Sequence, residues 1–229
     1  MNVNFLINNA VKLHIKGKLD KAKEIYEKII KFDQDNLVAN GNLGALLNAK
    51  KNYKQALYVL EKALSKKPNY VEALNNKANS LKGLGQHEKA LKIYDQVLNI
   101  QPNFVDALNN KGNCLRNLNF VDEAIEIYNQ ALKFKPNFVD ALYNRGICFH
   151  SIGNFDDAIK DYNKAIELYP EFIDAHYNLG ILQLLKGNFH DGLKNYEWRM
   201  KKSPFKETFK FIKKKKEWNG NDSLKNKII

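Results

Sequence analysis

Residues 102–113 read "PNFVDALNNKGN", and residues 136–147 read "PNFVDALYNRGI". The two stretches lie 34 residues apart, and the same step runs through the chain. Pro68, Pro102, Pro136, Pro170 and Pro204 keep it. So do Ala22, Ala56, Ala90, Ala124 and Ala158, with Gly192 next in line. A third column holds Tyr26, Leu60, Tyr94, Tyr128, Tyr162 and Tyr196, and a fourth holds Ala10, Gly44, Ala78, Gly112, Gly146 and Gly180. A period of 20–50 residues marks stacked supersecondary units, none of which can bury its apolar face alone.

Within each period the residue chemistry predicts two helices, over roughly positions 1–14 and 18–31. Position 15 holds Gly17, Lys51, Gly85, Asn119, Gly153 and Gly187. Gly and Asn there suit a left-handed C-cap, so Lys51 is a departure. Pro at position 32 ends the second helix because it cannot continue the hydrogen-bond ladder. Small residues at positions 8 and 20 let the paired helices approach closely. Asn69, Asn103 and Asn137, three residues before Glu72, Asp106 and Asp140, predict N-caps of capping-box type.

These columns resemble the tetratricopeptide repeat (TPR), 34 residues of helix–turn–helix. The expected fold is all-α, a right-handed α-solenoid of six repeats: 3–36, 37–70, 71–104, 105–138, 139–172 and 173–206. Gln34 in place of the Pro and Gly192 in place of the small-packing Ala are further departures. Residues 207–229 read as a basic connector. Ten Lys against three acids put +7 of the +12 net charge into residues 201–229.

One column does not follow from helix propensity. Position 6 is Asn8, Asn42, Asn76, Asn110, Asn144 and Asn178, although Asn costs about 0.6 kcal/mol against Ala inside a helix. With 31 Asn in 229 residues, chance places about one in a column of six. With position 4 set at 0° and about 100° per residue, the packing positions 8 and 11 fall near 40° and −20°, and position 6 near 200°. The six carboxamides therefore form a ladder opposite the packing side. Position 2 shares that far face and carries Glu72, Asp106, Asp140 and Asp174. A carboxamide offers an acceptor and donors together, so a regular row of them suits the backbone of an extended polypeptide. The neighbouring acids favour basic or hydroxyl-bearing side chains. Asn109 belongs to another column: Ile7, Gly41, Asn75, Asn109, Tyr143, Tyr177.

An Asn at this place in every repeat is similar to the TPR region of O-linked N-acetylglucosamine transferase and its bacterial relatives, which implies a concave groove holding substrate backbone. "YEWR" at residues 196–199, with Trp218, Gly220, Leu224 and Lys227, resembles the segment leading into a glycosyltransferase-like domain in such proteins. That resemblance implies a substrate-recruiting region whose catalytic part lies beyond residue 229. The Lys and Arg clamp of chaperone-binding TPRs is not matched, since the groove positions that correspond to it carry Asn, Tyr and acids.

The expected function is therefore a protein–protein interaction module, not itself an enzyme, binding protein or peptide in extended conformation. No cofactor, metal or catalytic residue is expected. His14 and His150 share position 12 but lie four repeats apart, and His87, His176 and His190 fall in other columns. Cys114 and Cys148, both at position 10, predict free thiols: stacked helices sit about 8–10 Å apart, beyond the roughly 7 Å Cα limit of a disulfide. The Lys213–Lys216 run reads as a solvated connector, and neither nucleic acid nor membrane is an expected partner. No signal peptide or spanning segment is read, so the chain is placed in the cytoplasm. Lys77, Lys111 and Arg145 at position 7 are expected to cover the core with their stems and reach neighbouring acids with their heads.

Overall fold

The computed structural model describes residues 2–202. The described residues form twelve α-helices: α1 Val3–Ile15, α2 Leu19–Phe32, α3 Leu37–Ala49, α4 Tyr53–Lys66, α5 Val71–Gly83, α6 His87–Ile100, α7 Val105–Asn117, α8 Val121–Phe134, α9 Val139–Ser151, α10 Phe155–Leu168, α11 Ile173–Leu185 and α12 Phe189–Tyr196. A 3-10 turn, Glu197–Lys201, follows. Odd-numbered helices begin every 34 residues, from Val3 to Ile173. Each packs against the even helix that follows it, and each even helix packs against the next odd one. The molecule is an α-solenoid.

Its curvature follows from which helices touch. α1 packs on α3, α3 on α5, α5 on α7 and α7 on α9, whereas no even helix makes a comparable contact with the next even one. In a bent stack the crowded layer is the inner one, so the odd helices line the concave side.

The odd-to-even turn is a Schellman motif in every repeat. In the third repeat the Gln86 N–H donates to Leu81 O (2.9 Å) and the Gly85 N–H to Lys82 O (3.0 Å). The position-15 residues all have positive φ, including Lys51 at 58° and Asn119 at 66°. A Cβ in that region is strained by about 1–2 kcal/mol. Lys51→Gly is therefore expected to raise stability by about 0.5–1 kcal/mol, since unfolded-chain entropy offsets part of the relief. Urea denaturation checks this, and a loss of stability would refute it.

The even-to-odd junction corrects an expectation. Asn69, Asn103 and Asn137 do not cap. The N-caps are Tyr70, Phe104 and Phe138, none of which makes a side-chain capping bond. Pro and Asn instead occupy the two central places of a tight turn, closed by Tyr70 N–H to Lys67 O (3.0 Å), Phe104 N–H to Gln101 O (3.2 Å) and Phe138 N–H to Lys135 O (3.1 Å). Pro is preset for the first of those places and Asn suits such turns. Only where the next residue is itself polar does a side chain cap: Asn36 accepts from Ala39 N–H (3.0 Å) and Asn2 from Phe5 N–H (3.1 Å). Glu72, Asp106 and Asp140 are thus left as exposed acids in the first helical turn, at the positive end of the helix dipole.

The core is a continuous row. Tyr26, Leu60, Tyr94, Tyr128 and Tyr162 are fully buried. Gly44, Gly112 and Gly146 make room for them: a Cβ would meet Leu60 at 2.4 Å, the Tyr128 ring at 2.6 Å and the Tyr162 ring at 2.7 Å. Tyr94 and Tyr128 donate their hydroxyls to Asn79 (2.6 Å) and Asn113 (2.9 Å) at position 9. Tyr26 and Tyr162 lack that Asn, and their buried hydroxyls have no partner.

Candidate functional site

The ladder residues fall along the seam between successive odd helices. Asn144 Nδ2 donates to Asn109 Oδ1 across α9 and α7 (3.0 Å). Asn178 Nδ2 donates to the Tyr143 hydroxyl across α11 and α9 (3.2 Å). Asn110 Oδ1 accepts from Lys82 Nζ across α7 and α5 (2.6 Å). Each bond runs within the inner layer. Asn8 is exposed, and Asn42, Asn76, Asn110, Asn144 and Asn178 are partly buried.

The ladder is therefore of two kinds. The side chains of Asn8, Asn42 and Asn76 hydrogen-bond to no other described residue. Asn110, Asn144 and Asn178 each use one end on the neighbouring repeat and keep the other. Asn109, assigned by periodicity to a separate column, is the buried acceptor that holds Asn144. The helical period separates the two residues correctly, but it cannot show that one supports the next repeat's counterpart of the other.

At position 2, Glu72, Asp106 and Asp140 are exposed and Asp174 partly so. Asp174 pairs with Lys202, whereas the other three form no ion pair among the described residues. Asp174 and burial together push the Tyr143 hydroxyl up to about 12, burial being the larger cause.

Position 12 was not anticipated as a site. Its members in the second and third repeats, Asn48 and Lys82, reach the next odd helix, and Arg116 holds the same place in the fourth. Asn48 Nδ2 donates to Asn76 O (2.8 Å), and Ser80 Oγ lies 2.6 Å from Asn48 Oδ1. Ser80 occupies position 10, and Cys114 and Cys148 follow it at the same place. Both thiols are free and buried, and burial pushes each up to about 11. The signal that would have found this seam was the polar character of positions 10 and 12 read together.

Position 7 behaves as expected on the outer side of the odd layer. Lys77 pairs with Glu61 (3.3 Å), Lys111 with Asp95 (2.7 Å) and Arg145 with Asp161 (2.6 Å).

"YEWR" closes the last repeat. Trp198 stacks on His176 at 3.8 Å between centroids, and the Arg199 guanidinium lies 3.9 Å over the Tyr196 ring. Trp218, Gly220, Leu224, Lys227, the Lys213–Lys216 run and the rest of 207–229 lie outside the described residues. Among the described residues no cluster of three His, Cys, Asp or Glu is placed to hold a metal, and no helix is long and apolar enough to cross a membrane.

A helical hairpin repeated at a 34-residue step, with odd helices inside, defines a repeat scaffold of the protein-binding kind. Family models agree: tetratricopeptide repeat models match residues 13–36, 47–110, 112–153, 139–172 and 161–194. The chain is a tetratricopeptide repeat protein. No curated protein matches it. Among solved structures it is similar to PilF of Pseudomonas aeruginosa, at 15% identity and TM-score 0.77, covering 93% of this chain and 97% of that one. A tetratricopeptide repeat protein from Parabacteroides merdae matches at 22% identity and TM-score 0.68, covering 93% and 87%. YrrB, described as a TPR protein with an unusual peptide-binding site, matches at 21% identity and TM-score 0.59, covering 83% and 98%. At these identities the likeness shows the fold.

Proposed function

We propose that this protein is an interaction module that holds an extended polypeptide along the inner layer of odd helices, with Asn8, Asn42, Asn76, Asn110, Asn144 and Asn178 as the backbone-gripping row. The observation that carries the reading is the recurrence of a poor helix former at one position of all six repeats, on the layer the curvature encloses. The free carboxamides of Asn42 and Asn76 support it further. Each can accept from a peptide N–H and donate to a C=O, and nothing in the described chain uses either end. The peptide-binding site of YrrB, a protein of similar fold, supports the class of partner. Glu72, Asp106, Asp140 and Asp174 border the row and favour basic or hydroxyl-bearing side chains beside them.

The test uses a fluorescent twelve-residue neutral, proline-containing peptide and anisotropy. Asn42→Ala with Asn76→Ala removes two bidentate grips, each about 1 kcal/mol. The expected result is an affinity loss of about 10–100-fold with a melting temperature that is not lowered, since Ala is the better helix former and neither side chain bonds to another described residue. An unchanged affinity in a folded variant defeats the ladder. Asn144→Ala is the less clean probe, because it also deprives Asn109 of its partner.

A second reading, that the repeats recruit substrate for a glycosyltransferase-like domain, rests on the "YEWR" resemblance. An open reading frame that stops at Ile229 would end it.

A further inference from the structure

The inner layer is charged differently along its two edges. Position 2, at the start of each odd helix from α5 onward, is acidic. Position 12 lies ten residues later, about 15 Å along the helix axis, and carries Lys82 on α5 and Arg116 on α7. The carboxamide row runs between them. The cations are confined to the middle of the solenoid, since position 12 is Asn48 in the second repeat, His150 in the fifth and Leu184 in the sixth.

Three successive position-12 side chains sit in equivalent surroundings and differ in how far they are satisfied. Asn48 is fully engaged: its amide donates to Asn76 O, and its oxygen accepts from Ser80. Lys82 has one neutral acceptor, Asn110 Oδ1, and a buried thiol, Cys114, where Ser80 stood one repeat earlier. Arg116 makes no hydrogen bond to any described residue, and its Nη1 is buried without a partner. Neither Lys82 nor Arg116 has a carboxylate within salt-bridge distance among the described residues. By contrast, each of the three position-7 cations on α5, α7 and α9 has one. A partly buried guanidinium with an unused buried donor is costly unless something outside the chain completes it. Burial also lowers the proton affinity of Lys82, the direction expected for an ammonium whose counter-charge is missing.

We propose that Lys82 and Arg116 form an anion-binding pair on the inner face that takes two carboxylate side chains of the bound polypeptide. This deepens the peptide-groove reading and rests on it. Successive repeats stack about 8–10 Å apart. An extended or polyproline-type chain covers that distance in about three residues at roughly 3.1–3.4 Å each. In the polyproline helix, residues three apart also point the same way. The recognised segment therefore carries acids at i and i+3 along the position-12 edge. Basic or hydroxyl-bearing residues of the same segment face the acidic position-2 edge. Arg116 supplies bidentate donors to one carboxylate, while Lys82, anchored by Asn110, meets the other as a point charge.

Two labelled twelve-residue, proline-rich peptides test this, identical except for Glu or Gln at two positions three apart. The readout is the ratio of their affinities. For the unaltered protein the Glu peptide is expected to bind at least tenfold tighter at low salt, with the ratio shrinking as salt rises. In Lys82→Met/Arg116→Met the ratio is expected to collapse to about one. Equal binding of both peptides to the unaltered protein overturns the anion pair and leaves the groove intact. A Glu preference that survives in the double variant also overturns the pair. If neither peptide binds to protein that is folded by circular dichroism, the groove reading falls and the anion pair with it. Should the double variant fail to fold, Lys82→Gln and Arg116→Gln decide singly: each is expected to lower the ratio at least threefold, and a ratio unchanged in both overturns the pair.

Discussion

Arg145→Leu is expected to lose about 3–5 kcal/mol of stability at neutral pH, the usual effect of leaving one member of a buried ion pair alone. Arg145 grips Asp161 through two bonds, Nε to Oδ2 (2.8 Å) and Nη2 to Oδ1 (2.6 Å), and spends Nη1 on Asn129 (2.6 Å). The Asp161 side chain is only 6% exposed, so its charge has no water to fall back on. Burial pushes the Asp161 carboxyl up, and Arg145 draws it partly back. A carboxyl raised in the folded state binds its proton more tightly there than in the unfolded chain. Its contribution is most favourable in acid, below the unfolded value, and declines as pH rises through the folded value. Removing Arg145 raises the folded value further. The deficit of Arg145→Leu should therefore be largest at neutral pH and shrink on acidification. The neighbouring repeats supply the control. The position of Asp161 is Ile25, Val59, Ile93 and Ile127 in the first four repeats and Asn195 in the sixth. Arg145→Leu with Asp161→Ile should recover most of the loss, because a buried pair is commonly replaceable by apolar residues. Urea denaturation at two pH values reads all three. A pH-independent deficit, or no recovery in the double variant, contradicts the account.

Gly180→Ala is expected to destabilise by about 1–3 kcal/mol, while Gly112→Ala at the same repeat position stays within about 1 kcal/mol of neutral. At Gly112 the added Cβ meets the Tyr128 ring, and Ala10 and Ala78 already coexist with Tyr26 and Tyr94 in the same column. At Gly180 the Cβ would lie 2.5 Å from Tyr196 N and 2.9 Å from Gly192 O. Those are backbone atoms of α12 and its end, so relief requires moving the helix. Gly192 belongs to the same contact, since its own Cβ would meet Leu184 at 2.8 Å. Its departure from the Ala column thus reflects a closer final helix pair. Because each repeat leans only on its neighbours, the damage should stay local. Hydrogen exchange is expected to rise in α11 and α12 and to stay unchanged in α3–α6. Equal losses at Gly112 and Gly180 would refute the distinction.

The chain's order along one dimension was legible without coordinates. The 34-residue step placed twelve helices, the left-handed Gly and Asn turn residues, the buried Tyr and Leu row and the small residues beneath it, whereas Lys51, read as a departure, takes the same left-handed conformation. Each of these depends on local conformation or on a fixed helical period, and both are written residue by residue. The capping residues were misread because Asn serves caps and tight turns equally well. The preceding Pro, preset for the turn, settles which.

The period also put the six Asn residues on one face, but it could not show what each one touches. That Asn110 is held by Lys82 and Asn144 by Asn109 depends on the lateral offset between stacked repeats. The same offset leaves Arg116 without a carboxylate, while packing between the two helices of one repeat gives Arg145 two bonds to Asp161. Sequence determined the unit and its repetition, because backbone strain and side-chain periodicity act within a few residues. Tertiary structure decided which polar side chains are satisfied and which are left for a partner, because that depends on contacts between residues about 16 to 35 positions apart.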